Sequence, residues 1–225
     1  MKPVRVNVRS RKPRRMEPMQ HEPIGDETAG EPSSGAPRGT IVIPAADPAA
    51  VGRAVARLRS GDLVALPTET VYGLACDATS AGAVARLYAA KGRPARNPLI
   101  CHVDGPAMAA TVGCLDGRAR RLAAAFWPGP LTLVVPLAPE SPIATAVTAG
   151  RPTVALRVPA DAGFRAVVTA LGRPVAAPSA NRSGRVSATS AAAVVAGLGD
   201  GVGLVIDGGP SPLGLESTIV DLAGG

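Results

Sequence analysis

Lys91, Asn97 and His102 fall within one short segment, KGRPARNPLICH, together with Arg93 and Arg96. Outside residues 1–39 the chain has no other lysine or histidine, and its only other asparagine is Asn181. In a composition that drifts towards Ala, Arg, Gly and Pro, the gathering of rare polar types in one place points to function. Gly92 and Pro94 are expected to end a helix there, so that Lys91 and Arg93 project from a loop. A mobile ammonium beside a planar guanidinium suits an anion, and a polyphosphate in particular. The plainer alternative is a solvated basic turn.

A second segment, AAPSANRSGRVSAT over residues 176–189, leads from an apolar strand into hydroxyl and amide side chains ahead of a helix. Ser179, Asn181, Ser183 and Ser187 can donate hydrogen bonds, and the N-terminus of the following helix favours negative charge. An ordinary polar connection, with a helix cap at Ser187 or Thr189, is the competing reading. In TVALRVP, Arg157 interrupts an apolar strand and requires an anionic partner, which is either a protein carboxylate or that of a ligand. PTETVYGLACD adds Thr68, Glu69 and Thr70 after a strand, and DGGPSPLGLESTIVD adds Ser217 and Thr218 before another. The sequence carries no G-x-x-x-x-G-K-[ST], no nucleophile elbow and no metal-ligand cluster, which argues against the standard nucleotide folds and against a resident metal.

The elements that must position these residues alternate. Strands are predicted at Leu63–Leu66, Leu99–Val103, Leu131–Leu137, Thr153–Val158, Pro174–Ala177, Gly203–Ile206 and Ser217–Leu222. Helices are predicted at Pro48–Ser60, Ala81–Ala90, Pro106–Val112, Arg118–Ala125, Ala162–Leu171 and Thr189–Ala196. Strands interleaved with helices predict an α/β domain with helices packed on a sheet, and a chain of 225 residues has room for one core. The apolar residues are mostly small and aliphatic.

The net charge is +7. Residues 1–39 hold 8 of the 24 basic and 5 of the 17 acidic residues, so the remainder stands at 16 against 12. Rich in Pro, Arg, Glu and Ser without apolar periodicity, residues 1–39 are expected to form a disordered basic tail, capable at most of weak, non-specific RNA contact. The domain is expected over 40–225. Three cysteines without C-x-x-C spacing indicate neither a disulfide framework nor a zinc knuckle and fit a cytoplasmic setting. No apolar run is long enough for a membrane span.

Taken in order, PTETVYGL, KGRPARNPLICH, WPGPLT, VTAGRPTVALRVP, APSANRSG and DGGPSPLGLESTIVD resemble the YrdC-like family of L-threonylcarbamoyladenylate synthases, from Gly61 to Leu222. The family's K-x-R and S-x-N signatures stand as Lys91-Gly92-Arg93 and Ser179-Ala180-Asn181. The resemblance implies an open twisted sheet with surrounding helices and a basic concave site. It implies a nucleotidyltransferase that makes threonylcarbamoyl-AMP and diphosphate from L-threonine, bicarbonate and ATP with Mg2+, and that feeds proteins which transfer the threonylcarbamoyl group to tRNA. Carried over residue by residue, Thr70, His102, Arg157, Ala177 and Ser217 would hold threonine, with Arg157 against its carboxylate. Arg93, Asn97, Thr153, Ser179 and Ser187 would hold ATP. Lys91 and Asn181 would serve the reacting phosphate.

In the family a short segment with a further phosphate-contacting arginine usually follows the last strand, whereas this sequence stops at Gly225, which implies either a truncated sequence or weakened ATP binding. That difference favours a second reading, a non-catalytic paralogue that binds RNA during ribosome maturation. The intact signatures oppose it. A third, the carbamoyl-transfer domain of hydrogenase maturation proteins, is disfavoured because those proteins carry zinc-binding cysteine pairs.

Overall fold

The computed structural model describes residues 39–224. The expected tail therefore lies, except for Gly39, outside the described residues. Contacts divide the chain at Gly35/Ala36, and every element below belongs to the second unit.

Among the described residues, nine strands form one mixed sheet: β1 (Ile41–Pro44), β2 (Val64–Leu66), β3 (Gly73–Asp77), β4 (Ile100–His102), β5 (Leu131–Pro136), β6 (Thr153–Arg157), β7 (Val175–Ala176), β8 (Leu204–Asp207) and β9 (Thr218–Asp221). Their order is β1-β8-β2-β3-β7-β4-β6-β5-β9. β4 pairs with β6 in parallel and sets His102 opposite Arg157. β9 pairs with β5 in parallel at the edge. Seven helices accompany the sheet: α1 (Ala50–Arg59), α2 (Ala81–Lys91), α3 (Pro106–Val112), α4 (Gly117–Phe126), α5 (Thr145–Thr148), α6 (Ala162–Leu171) and α7 (Ala191–Leu198).

Alternation along the strands sends successive side chains to opposite faces, and the two faces are covered unequally. One face presents Leu74, Cys76, Cys101, Leu133, Val135, Val154 and Leu156 to a core closed by α2, α3, α4, α5 and α7. The other presents Val64, Leu66, Ala75, Val175 and Leu204 to α1 and α6, whose Leu58 and Phe164 are fully buried. This second helix layer spans the half of the sheet from β1 to β7. Beyond β7 the layer reaches as far as β4, where Phe164 of α6 stacks on His102, and the candidate site forms over β4, β6, β5 and β9.

Every predicted strand and helix is present to within a few residues. β3, where no element is predicted, is a fully buried strand, paired antiparallel to β2 and β7. The helix expected to be capped at Ser187 or Thr189 begins at Ala191, and its cap is Ser190, whose hydroxyl accepts the amide of Ala193 at 3.2 Å.

Candidate active site

A cavity of about 290 Å3 lies over β4, β6, β5 and β9. Ala155 and Arg157 of β6, Ile100 and His102 of β4, Val134 of β5 and Ile219 of β9 all reach it from the same face, each pair separated by the two-residue period of a strand. Its remaining walls are loops: Thr68, Thr70 and Val71 before β3, Arg93 and Pro98 after α2, Ala177 to Ser179 after β7, and Glu216 and Ser217 before β9.

Each loop is fixed by local bonds. The Thr68 hydroxyl accepts the amides of Thr70 and Val71 at 3.1 and 3.2 Å, and lies 2.8 Å from the Thr70 hydroxyl. Beyond β7 the chain continues alongside β3: Leu74 N–H donates to Pro178 O at 2.8 Å and Ala180 N–H to Tyr72 O at 2.7 Å. The Tyr72 hydroxyl donates to Gly209 O at 2.7 Å, which holds the start of the loop that ends at Ser217. Ser217 and Thr132 hydroxyls lie 2.7 Å apart.

Lys91 corrects the expectation of two cations projecting from a loop. It is the last residue of α2, only 2 % exposed, and shares the buried stripe of Val84, Leu87 and Tyr88. Gly92, at φ 58°, turns the chain out of the helix. The ammonium points inwards and donates to the carbonyls of Ser179 and Asn181, while Ser183 N–H donates to Lys91 O at 2.8 Å. The two loops thus meet, joined through Lys91. Burial, reinforced by nearby Arg93, pushes the ammonium down to about 8. Arg93 does reach the cavity, its guanidinium donating to the carbonyls of Asn97 at 3.2 Å and Pro98 at 2.9 Å.

Arg157 has found the protein carboxylate. Its Nη2 lies 2.6 Å from Glu69 Oε1, its Nε donates to Gly129 O at 3.2 Å, and the second Glu69 oxygen accepts Ala160 N–H at 3.0 Å. Gly129 is required at this turn, because a Cβ there would stand 2.3 Å from the Phe126 carbonyl oxygen. Beside Arg157, His102 is 3 % exposed and stacks at a tilt on Phe164 with ring centroids 5.0 Å apart. Desolvation, with Arg157 adding to it, pushes the imidazole down to about 3, so it is neutral near pH 7. Its Nδ1 is buried without a partner.

The structure therefore gathers Thr70, His102, Arg157, Ala177, Ser217, Arg93 and Ser179 around one cavity. Thr153 is not among its lining residues, although it lies on the same face of β6 as Ala155 and Arg157. Asn97 contributes only its carbonyl to the bonds around Arg93. Asn181 is turned inwards: its amide donates to the carbonyls of Arg182 and Arg185 at 2.9 and 2.6 Å, and its Oδ1 is buried and unpartnered. Ser187 donates to Glu216 at 2.6 Å. Glu216 lines the cavity and was not singled out from the sequence; its neighbour Ser217 drew attention by residue type, while nothing local marked the carboxylate. Arg93, Arg157 and Glu216 line the cavity, and Glu69 pairs with Arg157 behind it, so the site carries both signs of charge.

A larger cavity, about 710 Å3, lies elsewhere along α3 and β5 and is walled mainly by Pro106, Ala107, Ala110, Leu115, Pro136 and Leu222, with none of the residues above. Among the described residues no group of three or more His, Cys, Asp or Glu could hold a metal ion, and no helix is long and apolar enough to cross a membrane.

Residues 56–225 match the family model Sua5/YciO/YrdC, described as telomere recombination. A threonylcarbamoyl-AMP synthase of Bacillus subtilis is 43% identical over 174 residues, 77% of this chain and 50% of its own length. One from Halorhodospira halophila is 39% identical over 166 residues, 73% of this chain and 86% of its own. The crystal structure of Pyrococcus abyssi Sua5 complexed with L-threonine superposes with a TM-score of 0.74 at 43% identity, covering 76% of this chain and 50% of that one. The chain thus spans about half the length of the Bacillus subtilis and Pyrococcus abyssi relatives. With a family model covering well over half of the sequence and a matching sheet, this chain belongs to the Sua5/YciO/YrdC family.

Proposed function

We propose that this chain is a nucleotidyltransferase that joins L-threonine, bicarbonate and ATP into threonylcarbamoyl-AMP with release of diphosphate. The observation that carries the proposal is the meeting of two loops across one cavity: Lys91 is bonded to Ser179 and Asn181, with Arg93 and Arg157 lining the same space. Curated relatives named threonylcarbamoyl-AMP synthase, and a solved relative holding L-threonine, support it.

In this reading the amino acid lies over β4 and β6, with its carboxylate at the unused edge of Arg157 and its polar groups among Thr70, His102 and Ser217. Ala177 closes the floor. The triphosphate lies towards Arg93, Ser179 and Ser187, and Asn97 and Thr153 complete the nucleotide side. The amine takes up carbon dioxide as a carbamate, and a carbamate oxygen then attacks the α-phosphorus as diphosphate departs. No protein nucleophile is needed. Holding the carbamate and phosphate in line, with fixed donors facing the charge that develops, supplies the rate. Lys91 and Asn181 act by shaping the loop that bears Ser179.

Mg2+ would arrive with the nucleotide. Glu216 and the nearby hydroxyls are the oxygen ligands this chain could add, which suits an ion that keeps most of its shell as water and phosphate oxygen. Such an ion neutralises phosphate charge. A cytoplasmic setting is part of the proposal and fits three unpaired cysteines, Cys76, Cys101 and Cys114. So is delivery of the product to proteins that modify tRNA.

The test is mass spectrometry of the product formed from ATP, isotopically labelled bicarbonate and threonine. Label in a threonine-containing adenylate is the expected result. Salt-sensitive RNA binding with no adenylate would instead support the non-catalytic paralogue.

A further inference from the structure

The cavity holds two guanidinium groups in different electrical states. Arg157 is paired with Glu69 at 2.6 Å, with the two side chains 4 % and 13 % exposed. Arg93 meets only carbonyl oxygens, those of Asn97 and Pro98, and no carboxylate lies within ion-pair distance of it among the described residues. Two anionic ligands of different kinds, an amino-acid carboxylate and a polyphosphate, have to be told apart inside this one space. An unneutralised arginine favours the ligand with more charge, because attraction scales with the product of the charges. An arginine already neutralised by a carboxylate favours a ligand that carries its own positive group, because a polyanion would meet the carboxylate's repulsion as well.

We propose that Glu69 is a specificity-determining residue: by neutralising Arg157 it reserves that end of the cavity for a zwitterionic amino acid and leaves phosphate groups to Arg93. The geometry suits this role. Glu69 Oε1 occupies one Nη2 hydrogen of the fork and Gly129 O takes Nε, so the remaining donors are fixed in direction. The other Glu69 oxygen is held by Ala160 N–H, and the Glu69 carbonyl accepts Leu213 N–H at 2.9 Å, so the carboxylate cannot follow a ligand away from the arginine. Gln at position 69 would keep a hydrogen-bond acceptor of similar shape and remove the charge.

The inference rests on the reading of the cavity as a threonine and ATP site, and calorimetry separates the two ideas. L-threonine is titrated into the wild-type chain and into Glu69→Gln, each with and without inorganic phosphate. In the wild type, phosphate should leave the threonine Kd unchanged at concentrations that already displace a non-hydrolysable ATP analogue. In Glu69→Gln the same phosphate should raise the apparent threonine Kd at least tenfold, and Glu69→Asp should restore the discrimination because it restores the charge. Equal insensitivity to phosphate in the wild type and Glu69→Gln would overturn the proposal. If Glu69→Gln does not fold, the wild type still decides: phosphate that displaces threonine before the nucleotide analogue overturns it, and the reverse order supports it. A wild-type chain that binds no threonine at all removes the functional reading itself, a result distinct from either.

Discussion

Removing the Lys91 side chain would leave the carbonyls of Ser179 and Asn181 without their donor inside a buried contact. At about 1–3 kcal/mol for each of the two unsatisfied buried groups, Lys91→Ala is expected to cost on the order of 2–6 kcal/mol of stability along with activity. Arg93→Ala should cost less than about 1 kcal/mol in stability and yet weaken nucleotide binding tenfold or more, since it removes a charged contact without emptying a buried site. Urea denaturation and nucleotide titration of the two variants would tell them apart. The burial of Lys91 was legible in the spacing Val84, Leu87, Tyr88, Lys91, the same stripe that packs α2. The Gly and Pro that follow drew attention to the loop instead. His102 gives a separate expectation. Its imidazole is lowered from 6.5 to about 3, so the unfolded chain takes up a proton where the folded chain does not. The stability held above pH 6.5 is therefore lost progressively as the pH falls towards 3. Thermal melts between pH 7 and pH 4 should show a decline that is shallower in His102→Gln, and threonine binding should show no step near pH 6.5.

At the level of elements, the sequence left open which residue caps the helix after the serine-rich loop. Ser190 accepts the Ala193 amide, whereas Ser187 reaches Glu216. Ser190→Ala should therefore lower stability by about 1 kcal/mol with activity kept. Ser187→Ala should reduce catalysis with the melting temperature nearly unchanged; the converse pattern would exchange the two roles. Most strands were readable because runs such as Leu131–Val135 and Thr153–Leu156 are apolar and lie between turn residues. β3 was not, because Gly-Leu-Ala-Cys-Asp opens on a glycine and shows no alternation of apolar and polar residues. Its strand character comes from β2 and β7, which flank it in space. Sheet order and the Glu69–Arg157 pair were hidden for the same reason: each depends on register between segments far apart in sequence, which no local pattern encodes. The family resemblance placed Thr70, His102, Arg157, Ala177 and Ser217 together before any contact was visible, and they do share one cavity. It did not distinguish side chains that line the space from those, such as Asn181, that brace it.

Across the whole molecule, one face of the sheet is packed under helices, while the other carries both a helix layer and the cavity. The cavity is built from residues 68–219, and all nine strands lie within the unit 36–225. Deleting residues 1–35 should consequently leave threonine affinity within about twofold and the melting temperature within a few degrees, measured by calorimetry and thermal denaturation. A larger loss would assign the basic segment a part in the site. β9 has a further consequence for biosynthesis. Among the described residues it follows every helix in sequence, it forms the sheet edge on β5, and Ser217 and Ile219 reach the cavity from it or from the residue just before it. During synthesis the seven helices described above therefore leave the ribosome before β9 does, and the wall of the cavity that Ser217 and Ile219 supply is added after the layers that support it.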